Sequence, residues 1–173
     1  MLDNFENHQD VAFELVDPYR GIASAYSGPD TVKVSRGLVR LLGVGGDELA
    51  FILGHELSHI GNDDQIMRLG AIAYNAAMMS SKERDMNPDA AYQGLSPLSA
   101  EMELRADRQG QALAWSAGVR SEGAREAFER FDLFDGLTSA VRMNDEVYDR
   151  PYTTHPPTSE RLLAFDRGRM VNR

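Results

Sequence analysis

The sequence contains no cysteine among its 173 residues. Without cysteine there can be no disulfide framework, no thiolate zinc site, no iron–sulfur cluster and no cysteine nucleophile. A metal ion in this protein must therefore be held by histidine and carboxylate side chains, and the chain has only four histidines. The lack of cysteine does not indicate a compartment, because a fold that needs no disulfides can work in a reducing or an oxidising one.

Long apolar runs and an excess of positive charge are also absent. The most apolar stretch, residues 69–79, is much shorter than the ~20 residues that span a bilayer. No basic segment followed by an apolar one opens the chain, so as written we expect a soluble, cytoplasmic protein, or a periplasmic one if a signal segment was removed. The net charge of −9 repels phosphate groups, which disfavours a nucleic acid or an anionic membrane as partner.

Length and composition are typical of one folded domain. The chain is close to the ~150 residues of an average domain, and 42% hydrophobic with 26% charged residues is an ordinary globular composition. We therefore predict a single domain over residues 1–173. Strand patterns in the first 35 residues precede helical patterns, so the predicted fold class is α+β, mainly helical, with a small N-terminal antiparallel sheet.

The spacing of apolar residues predicts where the helices lie. They are expected near residues 36–42, 47–60, 65–79, 96–117, 121–133 and 158–167. A turn-forming run at residues 27–30 predicts a hairpin. Residues 80–97 and 144–157 are predicted to be irregular, and the first of these segments is long enough to act as a lid. Trp115 and Phe128, at helical spacing from apolar neighbours, are expected in the core.

Residues 55–59 read H-E-L-S-H. A step of four residues rotates a side chain by only about 40° around an α-helix, so His55 and His59 share one face. Two neutral imidazoles placed in this way can bind one zinc ion. Glu56 lies about 100° around the helix, beside the ion, where a carboxylate can serve as general base in metal-assisted hydrolysis. The apolar neighbours of the motif predict a buried helix, which disfavours two unrelated polar residues.

Tetrahedral zinc needs a third protein ligand. The candidates are the other histidines, His8 and His155, and the carboxylates of a later helix. On that helix Glu103 and Asp107 are four residues apart and share a face, so one can bind the ion while the other accepts a hydrogen bond from a ligating imidazole. Glu101 lies about 200° from Glu103 and is expected to face elsewhere.

With these residues the sequence resembles the gluzincin metallopeptidases of the M48 type, which include CAAX prenyl endopeptidases and HtpX-like proteases. The likeness covers most of the chain and rests on residues 35–38 (SRGL), 47–59 (DELAFILGHELSH), 103–107 (ELRAD) and 155–161 (HPPTSER). The last of these segments is the most specific to the family. The resemblance implies a zincin-like domain in which the small sheet packs on the helix that carries the H-E-x-x-H motif.

The resemblance also implies a role for each residue of the motif. It makes His55, His59 and Glu103 the ligands of one zinc ion per chain. Glu56 is then the base that activates the water. Asp107 is implied to orient a zinc-bound imidazole, that of His55.

Two further segments resemble functional parts of the family. His155 is similar to an additional histidine near the metal that stabilises an oxyanion, and Arg161 to an arginine that positions this histidine or the substrate. Ser24, Ala25 and Tyr26 match the edge strand to which a substrate peptide adds as an extra strand. Relatives have asparagine where Ser24 stands, so this edge is altered at its first position.

The implied activity is that of a zinc-dependent endopeptidase acting on a peptide or an unfolded protein. The alternative is a latent or non-catalytic zinc-bound domain that acts by binding partners, with its site closed by His155 or by the 80–97 loop, because structural zinc sites are closed. Glu56 favours the enzyme, since a scaffold has no use for a general base. A metal-free binding module is a third possibility, in which internal hydrogen bonds would have to satisfy the polar groups of His55, His59 and Glu103. The lack of transmembrane helices argues against a membrane-embedded substrate, and no residue pattern indicates an oligomeric state.

Overall fold

The computed structural model of the protein describes residues 10–17, 25–87, 96–120, 122–141 and 156–171. In these residues three strands, β1 (Ala12–Val16), β2 (Ala25–Ser27) and β3 (Thr31–Ser35), precede the helices α1 (Arg36–Leu42), α2 (Asp47–Gly61), α3 (Asp64–Met78), α4 (Ser81–Met86), α5 (Ser96–Ser116), α6 (Gly123–Val141) and α7 (Thr158–Val171). This order confirms the α+β, mainly helical class. None of the described helices is long and apolar enough to cross a membrane.

The sheet has the strand order β1-β3-β2. β2 and β3 pair antiparallel, with Tyr26 opposite Lys33, and this confirms the predicted hairpin. β1 instead pairs parallel with β3, with Phe13 opposite Val32, so the sheet is mixed and the prediction of a purely antiparallel sheet was wrong for β1. Residue alternation identifies a strand but does not specify the direction of its neighbour, which is why the sequence did not reveal this pairing.

The hydrophobic core surrounds α2. It combines side chains of β3, α1, α2, α6 and α7: Val32, Val34, Leu38, Leu42, Phe51, Ile52, Ile60, Ala124, Ala127, Phe128 and Phe165. Phe51, Phe128 and Phe165 meet at centroid separations of 5.5 to 5.7 Å, in the tilted and edge-to-face geometries that aromatic rings favour. Phe128 is thus in the core as predicted, whereas Trp115 is 74% exposed, so its predicted burial was wrong.

The ends of α2 are set by backbone conformations that the sequence signals. Gly43 and Gly45 have φ values of 85° and 77°, which favour glycine, and they separate α1 from α2. Asp47 and Glu48 then occupy the first turn of α2, where negative charge is favourable. At the other end Asp63 is left-handed with φ 54°, and a turn there separates α2 from α3.

The segment predicted to be irregular at residues 80–97 contains helix α4, which corrects that prediction. Ser80 and Glu83 form a capping box, in which each side chain accepts a hydrogen bond from the other residue's backbone N–H. The S-x-x-E spacing was the signal for this helix. The predicted lid stays a prediction, because residues 88–95 lie outside the described part of the chain.

Helices α2 and α5 cross with their backbones in contact. A Cβ atom added to Gly110 would lie 2.5 Å from the backbone nitrogen of His55, and one added to Gly54 would lie 2.7 Å from the carbonyl oxygen of Gly110. No side chain larger than hydrogen fits at either position without moving a helix. The close approach lets side chains one and two turns before Gly110 reach those of α2.

We expect the Gly110→Ala variant to unfold more easily than the wild type by about 1–3 kcal/mol, because the added methyl group pushes α5 away from α2. The measurement is the free energy of unfolding in urea. Gly70 on α3 is a matched control, since a Cβ there meets nothing within 4 Å, and Gly70→Ala should raise stability by up to ~1 kcal/mol. Equal unfolding free energies for the two variants would contradict the proposed backbone contact.

Candidate metal centre

Two buried histidines project from α2 toward α5. The Nε2 atoms of His55 and His59 lie 3.1 Å apart, and their rings meet edge-on with centroids 4.7 Å apart. The four-residue step along one helix brings the two imidazoles onto the same face. Both rings therefore point their Nε2 atoms at one small volume between the helices.

Glu103 of α5 approaches the same volume from the opposite helix. Its Oε2 lies 3.2 Å from His55 Nε2 and its Oε1 lies 3.5 Å from His59 Nε2. One potential ligand atom from each of the three residues lies within 4.8 Å of the others. Two imidazole nitrogens and one carboxylate oxygen are a donor set that suits zinc, so the residues present fit this ion.

Asp107 supports the Nδ1 side of His55, and Arg161 in turn pairs with Asp107. The Nδ1 of His55 lies 2.9 Å from Asp107 Oδ1, and Arg161 donates from Nε to Asp107 Oδ2 at 2.8 Å and from Nη2 to Oδ1. The guanidinium of Arg161 also stacks 4.4 Å from the centroid of the Phe128 ring. Burial opposes ionisation of Asp107, but the hydrogen bonds from Arg161 and His55 outweigh it and lower its pKa.

His59 has a similar support that the sequence reading missed. Its Nδ1 lies 2.7 Å from Oδ2 of the buried Asp64, and the guanidinium of Arg105 pairs with the other oxygen of Asp64. Asp64 follows the turn after α2, and its position depends on the left-handed Asp63. The only sequence signal for Asp64 was an acidic residue five positions after His59. Arg105 gave no signal, because helical spacing places it away from the face of α5 that carries Glu103.

The cluster stabilises positive charge. Burial disfavours the charged form of both imidazoles, yet hydrogen bonds to carboxylates outweigh this effect. For His59 the bonds to Asp64 and Glu103, with the nearby charge of Glu56, raise the pKa to about 9. For His55 the bonds to Asp107 and Glu103 also raise the pKa above its ordinary value. A proton on either imidazole is thus favoured by the carboxylates around it.

A pocket of about 150 Å³ opens beside this cluster. It is lined by Ala25, Tyr26, Ser27, Glu56, His59, Asp64, Gln65, Arg68 and Glu103. Glu56 is only 6% exposed, and no hydrogen bond or ion pair to its carboxylate is found within the described ranges of the chain. A buried carboxylate thus lines the pocket next to His59 without an assigned partner, in a space that admits water molecules.

The strand β2 forms one border of the pocket. Among the described strands β2 lies at an edge, because β3 is its neighbour on one side and the order β1-β3-β2 places no described strand on the other. Ala25 and Tyr26 belong to this strand, while Ser24 lies outside the described residues, as does His155. Arg161 contacts Asp107 and is not found among the residues that line this pocket.

The sequence of the whole chain was also compared with known families and proteins. The model of peptidase family M48 matches residues 4–168. The protein belongs to peptidase family M48. The comparison with curated proteins gave no match. Peptidases of this family are zinc-dependent, and the cluster of His55, His59 and Glu103 has the donor atoms that such a metal needs. The family resemblance drawn from the sequence is thereby confirmed.

We expect Asp64→Asn to weaken zinc binding about tenfold, because His59 loses the charged acceptor that orients its ring. The measurement is a zinc titration in competition with a chromophoric chelator. Asp63→Asn makes the same chemical change one residue earlier, at an exposed position where asparagine tolerates the left-handed backbone, and its affinity should equal that of the wild type. An equal loss in both variants would argue against an orienting role for Asp64.

Proposed function

We propose that this protein is a zinc-dependent endopeptidase that hydrolyses peptides or unfolded proteins, with Glu56 as general base. The observation that carries the proposal is the position of the Glu56 carboxylate. It lies in the pocket, buried and next to His59, beside a cluster whose donor atoms suit zinc. Membership of peptidase family M48 is consistent with this chemistry.

His55, His59 and Glu103 would hold the metal. The carboxylates of Asp107 and Asp64 accept from the Nδ1 side of each imidazole, which leaves the Nε2 lone pairs directed toward the ion. Zinc bound there would supply Lewis acidity, which polarises a carbonyl and makes water a better nucleophile at neutral pH. The supporting carboxylates fix each ring, so that the ligands need little rearrangement on binding.

Glu56 would move the protons of the reaction. In hydrolysis it takes a proton from the attacking water and later delivers a proton to the leaving amine. Glu56 and His59 lie on the same helix, α2, and both line the pocket.

The open edge of β2 would bind the substrate. An extended peptide can add to an edge strand through main-chain hydrogen bonds, which are independent of side-chain identity. Such binding requires an unfolded segment but no chain terminus, and it therefore favours an endopeptidase. It also agrees with a peptide or an unfolded protein as the substrate class.

We expect Glu56→Gln to keep zinc and to lose hydrolysis of a quenched fluorescent peptide by about 10²–10⁴-fold, because glutamine cannot accept the proton of the water. The readouts are zinc content by mass spectrometry and the initial rate of cleavage. Glu101→Gln is the matched control, since Glu101 lies exposed on α5 and should retain the wild-type rate. Cleavage by Glu56→Gln at the wild-type rate would overturn the mechanism.

We expect about one zinc ion per chain in the wild type and a clear loss of zinc in Glu103→Ala, because three protein ligands become two. Glu101→Ala should keep its zinc. If the wild type binds no zinc even after reconstitution, the peptidase proposal fails. If it binds zinc but cleaves no peptide, the non-catalytic zinc-bound domain is favoured instead.

A further inference from the structure

The pocket has two borders of different chemistry. The edge of β2 offers backbone groups, whereas α3 offers the side chains of Gln65 and Arg68. Arg68 follows Asp64 by one helical turn, so its side chain leaves α3 on the face that looks toward the metal cluster. About 31% of this side chain is exposed and it lines the pocket, so a ligand there can contact it.

Arg68 differs from the other two arginines near the cluster. Arg105 and Arg161 are each paired directly with one buried carboxylate, that of Asp64 and Asp107 respectively. The nearest carboxylate to Arg68 is Glu103, whose Oε1 lies 3.7 Å from Arg68 Nη2. This distance is too long for a hydrogen bond. The Nε of Arg68 is buried and finds no hydrogen-bond acceptor in the part of the chain that the structure describes.

Two of the three carboxylates that line the pocket, those of Asp64 and Glu103, have other partners, whereas none is found for Glu56 among the described residues. Asp64 contacts both His59 and Arg105. Glu103 contacts both imidazoles, and its charge would be further reduced by the metal it is proposed to bind. Arg68 therefore has a long ion pair with Glu103 and hydrogen-bond donors that the carboxylates of the pocket do not use. An arginine in this state is suited to a carboxylate, which matches its donors in geometry and charge.

We propose that Arg68 binds a carboxylate of the substrate, so that the cleft prefers a peptide with an acidic group close to the bond that is cut. This inference rests on the proposed peptidase function and names its substrate class. The carboxylate belongs either to an aspartate or glutamate side chain or to the substrate's C-terminus. At physiological ionic strength the overall charge of −9 is screened beyond ~8 Å, and the local contact with Arg68 decides the preference.

The test compares zinc-loaded wild type with Arg68→Gln, Arg68→Glu and the control Arg40→Gln. Arg40 is an exposed arginine of α1 outside the pocket lining. The substrates are quenched fluorescent peptides that differ at one position near the cleavage site, where they carry Glu, Gln or Lys. A second pair of peptides ends in a free carboxylate or an amide, which separates the two sources of the acidic group.

For the wild type we expect kcat/KM to be about fivefold higher for the acidic peptide than for the neutral peptide in at least one of the two sets. This factor is typical of a charge-assisted hydrogen bond at a partly exposed site. Arg68→Gln should bring this ratio close to one, and Arg68→Glu should favour the Lys peptide. Arg40→Gln should keep the wild-type ratio. The proposal is overturned if the wild type shows no preference for an acidic peptide or if Arg68→Gln keeps that preference. It is also overturned if Arg68→Gln lowers kcat/KM by the same factor for every peptide.

A binding measurement separates this inference from the proposed function. The dissociation constants of the same peptides, labelled for fluorescence anisotropy, are measured with zinc-loaded Glu56→Gln and with the double variant Glu56→Gln/Arg68→Gln. We expect Glu56→Gln to bind the acidic peptide about fivefold more tightly than the neutral one. The double variant should bind the two peptides with equal affinity. If acidic and neutral peptides bind the first protein equally, the role of Arg68 is overturned whatever the fate of the peptidase activity. A wild type that cleaves nothing while this preference is present would instead overturn the peptidase alone.

Discussion

The contact between the backbones of α2 and α5 is the constraint on which the candidate site depends. Gly54 and Gly110 allow the two helices to touch, and the ligand geometry follows from this distance. Glu103, two turns before Gly110 on α5, meets the histidines because the helix axes are close there. A glutamate side chain is short compared with the usual helix separation of 8–10 Å, so wider packing would leave it out of reach of both imidazoles.

Charge compensation is the second requirement of this arrangement. Buried ionisable groups are costly unless each has a partner, and the cluster contains several in a small volume. Each imidazole is backed by an aspartate, and each aspartate by an arginine. Arg161 also connects the buried charges to the aromatic core, because its guanidinium stacks on Phe128. The support of the site and the packing of the fold therefore share the same side chains.

Helical spacing was sufficient to predict which polar residues share a face, because it depends only on local geometry. It put the two histidines of the motif together and paired Glu103 with Asp107, and the structure brings these residues to one place. It could not predict the approach of α5 through Gly110, since no local pattern marks a glycine as a contact between helices. Asp64 and Arg105 were missed because their meeting depends on a turn and on a long flexible side chain. The direction of β1 was also not encoded locally.

The support behind His55 comes from the last described helix of the protein. Asp107 and Arg161 are separated by 54 residues, and α7 begins only at Thr158. During synthesis the three candidate ligands have all been made once residue 103 is in place, yet Asp107 still lacks its cation until the ribosome reaches residue 161. A chain that stops before α7 lacks the guanidinium that pairs with Asp107. The support behind His55 can therefore assemble only after α7 has been made and has packed against α5.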